Sequence, residues 1–488
     1  MYIAVVPNRS SPPALLLRES FRQDGKVRTR TLANLSHWDP ARLDALRRAL
    51  RGDFDHLAAP APTLGPVFGL LHVLKTLADA LGITAALGPS RLGKLALFVV
   101  LARLAHQGSR LSAVRWAADQ AVAEVLGVGA FDEDDLYAAL DTLCARQEHI
   151  ERALYQRYLR RRGAPPRLFL YDVTSTYLEG VHNALGEFGY NRDGKRGKLQ
   201  IVIGLLADAE GEPLAVRVFE GNTGDPGTVA TQIQIVKEQF AVEELVFVGD
   251  RGMVKRTGQQ ALHAAGLRYI TALTDPQIRR LLGTGVLQLE LFSEAVCEVD
   301  GTGIRYLLRK NPAEAAREHH RLADKLARLV TKVQQRNARV EASARCQAAA
   351  GLRHLTPWIH RHKLTGLVAL HLEGRTLILE RDERAIIKQL DLAGCYVVTT
   401  DVPPSQMSAQ VVHDSYVSLQ QVERDFRALK TGLLEVRPVF VRKESRTRGH
   451  VFSCLLALKL SREVTRRLQV AFGTTDTNPH TITLPDAL

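Results

Sequence analysis

Cysteine is scarce in this 488-residue chain, and its five copies (Cys144, Cys297, Cys346, Cys395 and Cys454) lie far apart. No C-x-x-C pair occurs, which argues against a structural zinc site and a disulfide framework. A reducing cytosol is the expected compartment. Long apolar runs are also missing. The longest, Leu95 to Ala102, is broken by Arg103, far short of the roughly 20 residues that span a bilayer. The opening MYIAVVPNRSSPPALLL has no charged n-region followed by a long apolar h-region, so no signal peptide and no membrane association are expected. No fixed-period repeat or low-complexity tract stands out. There is no P-loop, zincin helix or dinucleotide fingerprint, and no nucleotide cofactor is expected.

What is present is basic charge. The 65 Lys and Arg outnumber the 52 Asp and Glu, for a net charge of +13, while 45% apolar content supports real cores. An excess of cations favours polyanions, of which nucleic acid is the commonest. A basic protein whose charge serves only solubility is the alternative. The length suggests about two to four domains.

Residues 1–64 read as a strand-rich module, with Ala14–Leu17 and Val27–Leu32 flanking the hairpin dipeptide Asp24-Gly25. Residues 65–165 read as helical, with apolar residues at helical spacing over 70–87, 92–104, 111–126 and 136–159. Residues 166–274 change character, giving three strands, a helix, a strand, a helix and a strand, the pattern of an α/β mixed sheet flanked by helices. Residues 275–400 interrupt it with a β-rich insertion holding one long helix near 313–349. Residues 401–470 are helical again, with breaks expected near Pro438 and Gly449, and 471–488 reads as a loose tail.

Three carboxylates lie where metal-dependent phosphodiester chemistry would place them. Asp172 follows the apolar run Leu168–Tyr171 in YDVTSTY, Asp250 ends the run Leu245–Gly249 in VGDRGMV, and Glu423 lies in the helical pattern YVSLQQVERDFRALK. Two strand-end aspartates and a helix-borne glutamate can converge to hold two divalent cations, Mg²⁺ or Mn²⁺. Tyr416, Leu419, Glu423, Arg427 and Lys430 are spaced 3, 4, 4 and 3, so one helix face carries them all. Each feature has a plainer explanation. A strand-end Asp serves as turn former or N-cap, and a polar helix face can carry i,i+4 charge pairs in water.

These strings, YDVTSTY, VGDRGMV and Tyr416-x2-Leu419-x3-Glu423-x6-Lys430, resemble the motifs of bacterial insertion-sequence transposases with a DDE triad. The later RPVFVRKESRTRGHVFSCLLALKL and the N-terminal hairpin running into Leu32–Leu35 are similar to that group as well. The resemblance implies a ribonuclease-H-like core at 166–274 and 401–470, split by the insertion, with Asp172, Asp250 and Glu423 as metal ligands. It implies that Tyr416 and Lys430 contact the phosphate backbone. The family pattern carries Arg where this chain has Leu419, and Arg424 or Arg427 would have to supply that contact. The implied partners are double-stranded DNA, as terminal inverted repeats and as target, bound by a homodimer holding paired ends, with 65–165 as the end-binding region. A non-catalytic DNA-binding repressor derived from a transposase is the rival reading. A plain nuclease without strand transfer is another.

Two further basic features stand out. Arg321, Lys325, Arg328, Lys332, Arg336 and Arg339 form one stripe on the long insertion helix, beside an apolar stripe of Leu322, Leu326, Leu329 and Val333. Such a helix can pack by one side and lay charge along DNA by the other, or carry solvated charge only. The Gly-rich loop Asn191–Lys198, with Arg192, Lys195 and Arg196, reads as a flexible phosphate-contacting loop or a plain surface turn. Trp358 reads as core, or as a stacking platform for an unpaired base.

Overall fold

The computed structural model describes residues 1–54, 65–242, 244–251, 253–301, 303–473 and 482–487. They fall into two compact units, Met1–Gly65 and Pro66–Leu488.

In the first unit β1 (Tyr2–Val6), β2 (Ala14–Gln23) and β3 (Lys26–Asn34) form an antiparallel sheet followed by α1 (Pro40–Leu50). The expected turn is there: Asp24 and Gly25 both have positive φ, 51° and 73°, the backbone that lets a two-residue hairpin follow the strand twist. Strand β1 and helix α1 were not expected.

The second unit opens with seven helices: α2 (Gly69–Leu81), α3 (Ile83–Leu87), α4 (Arg91–Ala105), α5 (Arg110–Ala117), α6 (Val122–Leu126), α7 (Glu133–Ala145) and α8 (Gln147–Arg162). The expected helix over 70–87 is divided at Gly82, whose φ of 81° ends α2. Next come β4 (Leu168–Tyr177), β5 (Gln200–Asp208), β6 (Pro213–Glu220), α9 (Asp225–Gln234), β7 (Val246–Gly249), α10 (Arg256–Ala264), β8 (Arg268–Ala272), α11 (Asp275–Gly283), β9 (Cys297–Gly301) and β10 (Ile304–Lys310). The chain continues through α12 (Pro312–Ala342), α13 (Ala348–Arg361), β11 (Val368–Glu373), β12 (Thr376–Arg381), α14 (Glu383–Leu390), β13 (Cys395–Thr400), α15 (Ala409–Val417), α16 (Leu419–Lys430), α17 (Glu444–Phe472) and the short α18 (Leu484–Ala487).

Eight strands make one mixed sheet in the order β6-β5-β4-β7-β8-β13-β10-β9. Strands β4, β7 and β8 run parallel, and the other pairings are antiparallel. All nine residues of β5 are buried, as expected of a central strand covered on both faces. The two-residue strand period sorts the side chains between two cores. Leu168, Leu170, Ile201, Ile203, Val246 and Val248 face one, with residues of α2–α7, α16 and α17. Phe169, Tyr171, Val173, Val202 and Phe247 face the other, with Tyr155 and Tyr158 of α8. The helices at 65–165 therefore share a core with the sheet.

The region 275–400 departs from the expected single insertion. Its strands β9, β10 and β13 extend the large sheet. Helices α12 to α14 with the β11–β12 hairpin form a cluster off the sheet, around Leu326, Leu329, Val333, Leu355 and Leu377. That cluster leaves and rejoins the sheet at one place: Lys310 is the register partner of Cys395, and the Asn311 N–H donates to the Gly394 carbonyl at 2.8 Å. The long helix starts where Asn311 caps it, accepting from the Glu314 N–H at 3.2 Å, with Pro312 in the first turn. It ends at Ala342, before the expected 349.

The break expected at Gly449 is absent, because α17 runs straight through it. A Cβ at Gly449 would collide with the backbone carbonyl of Leu140 on α7. The glycine serves close helix–helix approach rather than termination. Of the tail 471–488, residues 474–481 and 488 lie outside the described residues, while α17 continues to Phe472. No helix among the described residues is long and apolar enough to cross a membrane.

Candidate active site

The strand period that sorts the cores also aims the carboxylates. Asp172 continues the series Leu168, Leu170 and so faces the side of the sheet on which α16 packs. The parallel register of β4 and β7 ends at Tyr171↔Gly249, so Asp250, the residue after β7, comes beside Asp172. Asp172 lies inside β4 and not at a strand end as expected, because β4 runs on to Tyr177 paired with β5. Helix α16 buries Val422, Phe426 and Leu429 against the core and leaves Glu423 and Arg427 exposed. Asp172, Asp250 and Glu423 line one cleft of about 300 Å³, with Thr174, Arg192, Asp225, Arg251, Arg427 and Lys430.

The charges in this cleft interact. Burial pushes the Asp172 carboxyl up to about 7. The neighbouring charges of Asp250 and Glu423 push the same way, while the Val173 N–H and Arg192 pull it down. The Val173 N–H donates to Asp172 Oδ1 at 2.8 Å. Glu423 makes no hydrogen bond or ion pair among the described residues. Three carboxylates converge where two of them oppose ionisation of the third. An all-oxygen donor set of this kind suits a hard divalent cation, and bound positive charge would relieve the repulsion. Among the described residues no three such side chains are already drawn into a tight cage.

Tyr416 stands on α15, separated from α16 by a turn at Ser418. Its hydroxyl donates to Asp250 Oδ1 at 3.1 Å, and burial together with the Asp250 charge raises its pKa. Leu419 is buried in the core. Of the two arginines considered in its place, Arg427 lines the carboxylate cleft. Arg424 lines a different, larger cleft beside α17.

The loop 191–198 is tied down, not loose. The Asn191 side-chain carbonyl accepts from the N–H groups of Asp193 (2.9 Å) and Lys195 (3.2 Å). The Arg192 N–H donates to Ser175 Oγ at 2.9 Å, and its guanidinium to Asp225 at 2.6 Å. Asp193, whose side chain is only 2% exposed, pairs with Lys430 at 2.8 Å and with Arg437. Lys195 lies over the Tyr177 ring, and Arg196 is exposed. Asp193, Asp225 and Arg437 escaped the sequence reading. The one signal was an acid inside an otherwise cationic loop.

The basic stripe on α12 is borne on a helix that buries Leu326, Leu329 and Val333. Arg321 pairs with Glu314 and Arg328 with Asp324. Arg336 donates to the Gln347 carbonyl, and Lys332 lies over the ring of Trp358. Lys325 is half-buried and Arg339 exposed. Trp358 is partly buried against this cluster and stacks on His362 at 3.7 Å between ring centres.

Fold and cleft define a mixed α/β protein whose acidic site is rimmed by cations. Residues 163–460 match the family model for the transposase DDE domain, and residues 3–62 match that for the N-terminal domain of IS1634 family transposases. The chain belongs to the insertion-sequence DDE transposases. No curated protein matches it. Among solved structures, the piggyBac transposase synaptic complex with hairpin DNA is 7% identical over 77% of this chain and 66% of that one, with a TM-score of 0.39. The Mos1 strand transfer complex (12% identity, 48% of this chain and 68% of that one) and a Mos1 mariner paired-end complex with Mn (12%, 48% and 69%) both have TM-scores of 0.16. Scores this low do not establish a common fold.

Proposed function

We propose that this transposase binds the terminal inverted repeats of its own element, cleaves DNA at the ends and joins the freed 3′-hydroxyls to target DNA. The observation that carries this reading is the convergence of Asp172, Asp250 and Glu423 in one cleft with Arg192, Arg427 and Lys430. The order β6-β5-β4-β7-β8, with β4, β7 and β8 parallel, supports a ribonuclease-H-like core.

Asp172, Asp250 and Glu423 would hold the divalent cations. Two such ions would supply the Lewis acidity and the activated oxygen nucleophile that phosphodiester attack requires. Tyr416 fixes Asp250 through its hydroxyl, limiting that carboxylate's rotation. Arg427, exposed and without an ion pair among the described residues, meets the phosphate and offsets charge building on it. Lys430 adds a second cation on the same helix face, one turn further on. The α12 stripe gives sequence-independent grip on the backbone, and a homodimer would hold two ends together.

The test is to incubate the full chain with duplexes carrying the repeats that flank its gene, with Mg²⁺ or with EDTA. Nicked and joined products should form only with Mg²⁺ and vanish in Asp172→Asn. Binding without cleavage in Mg²⁺ and in Mn²⁺ would sink the reading and favour a repressor.

A further inference from the structure

The acidic residue Asp193 belongs to none of the roles assigned so far. It sits in a cationic loop, its side chain is 2% exposed, and Oδ1 receives both Lys430 (2.8 Å) and Arg437. The other carboxylate oxygen, Oδ2, is buried with no hydrogen-bond partner among the described residues. The two cations are themselves linked, since Arg437 Nε donates to the Lys430 carbonyl at 3.4 Å. The loop that delivers Asp193 is fixed at both sides of it. Asn191 closes the turn, and the Arg192 N–H is anchored on Ser175 of β4, three residues from Asp172. One buried carboxylate between two cations leaves the group one positive charge in excess, facing the cleft that Lys430 lines.

We propose that Asp193 is a positioning residue that sets Lys430 and Arg437 as a fixed two-cation seat for a DNA phosphate at the rim of the carboxylate cleft. The inference rests on the DNA-cutting reading of that cleft. A lysine is a point charge on a flexible four-carbon stem, so its aim has to come from a partner. Asp193 supplies that aim by a charge-assisted bond away from bulk water. Without it, Lys430 and Arg437 would lose the carboxylate they share, and their repulsion, with the acids of the cleft beyond, would pull the ammonium out of its present position.

The experiment compares Asp193→Asn, Lys430→Ala and the double variant in the full chain, on end DNA, with Asp172→Asn as the inactive control. Asp193→Asn should slow single-turnover cleavage at saturating protein on the order of 10- to 100-fold, the effect of a misplaced group near the reacting atoms. End-DNA affinity should stay within about threefold, because many other cations share the binding. If Asp193 acts through Lys430, adding Asp193→Asn to Lys430→Ala should slow cleavage by less than about twofold more. Normal cleavage by Asp193→Asn overturns the proposal. So does a double variant slowed by the full product of the two single effects. Should Asp193→Asn fail to fold by its thermal midpoint, Arg437→Gln replaces it, with the same split between rate and affinity expected and a normal rate overturning the idea. If wild type does not cut, or Asp172→Asn cuts equally, the function reading fails instead.

Discussion

Lys430 and Asp193 form an ion pair at 2.8 Å in which both side chains are largely withdrawn from water, 12% and 2% exposed. A lysine that helix periodicity alone places beside Glu423, facing solvent, is in the folded protein already engaged by a loop far away in sequence. Lys430→Ala should therefore lower thermal stability measurably and also slow cleavage. Lys332→Ala on α12, whose side chain is exposed over Trp358, should weaken binding without slowing the bound complex. Single-turnover rates and binding affinities measured side by side for the two variants separate these outcomes.

Glu423→Ala should abolish Mg²⁺-dependent cleavage and leave end binding intact. Because Glu423 is exposed and unpaired among the described residues, the cost in stability should be within about 0.5 kcal/mol. Cleavage assays and a denaturant titration check both halves, and substantial cleavage by this variant would falsify its place among the metal ligands.

The α12 stripe predicts a salt signature. Arg328→Ala and Lys332→Ala should weaken binding to every DNA sequence alike. Each should also flatten the log–log salt dependence by about one unit. Binding curves that stay unchanged over a salt series would leave these residues as a solvated helix face.

Gly449→Ala should destabilise the second unit by about 1–3 kcal/mol, the usual range for overpacking. The added methyl has no room against the Leu140 carbonyl, and helix propensity alone would predict a gain of about 1 kcal/mol. The sign of the change in urea midpoint decides between them.

Asp425 carries a pH prediction. Burial pushes its carboxyl up to about 6, against the pull of Arg462. A raised carboxyl stabilises the fold fully only below its unfolded value of 3.8. That contribution is lost as pH rises through about 6. Relative to Asp425→Asn, wild type should lose up to about 3 kcal/mol between pH 4 and 7, at 1.36 kcal/mol per pKa unit. Parallel stability curves for the two proteins over that range would contradict this.

Much of the site was legible because it rests on local periods. The run before Asp250 placed that carboxylate at a strand end. The alternation through Leu168–Val173 gave Asp172 its face, though it lies inside β4 and not at its end, and helical spacing placed Glu423 and Lys430 on one face. What escaped depends on partners distant in sequence. Nothing local says that β13 inserts between β8 and β10, or that Gly449 is small for the sake of Leu140. Propensity reads a helical glycine as a stop. Asp193 lies in a loop that reads as phosphate-contacting or as a plain surface turn, and only the tertiary fold reveals the two cations around it. Tyr416 offered a hydroxyl on the right side of the helix, but its aim at Asp250 depends on how α15 meets β7.

The meeting of Asn311 with Gly394, just beyond the Lys310↔Cys395 pair, makes a narrow neck for the cluster of α12–α14 and β11–β12. Chain ends held that close together could be joined by a tight turn without disturbing either strand. The large sheet thus keeps β10 and β13 as an adjacent antiparallel pair, from which a separate module projects at one stem. Such a module can change length or charge in evolution, or be swapped by design, while Asp172, Asp250 and Glu423 keep their places.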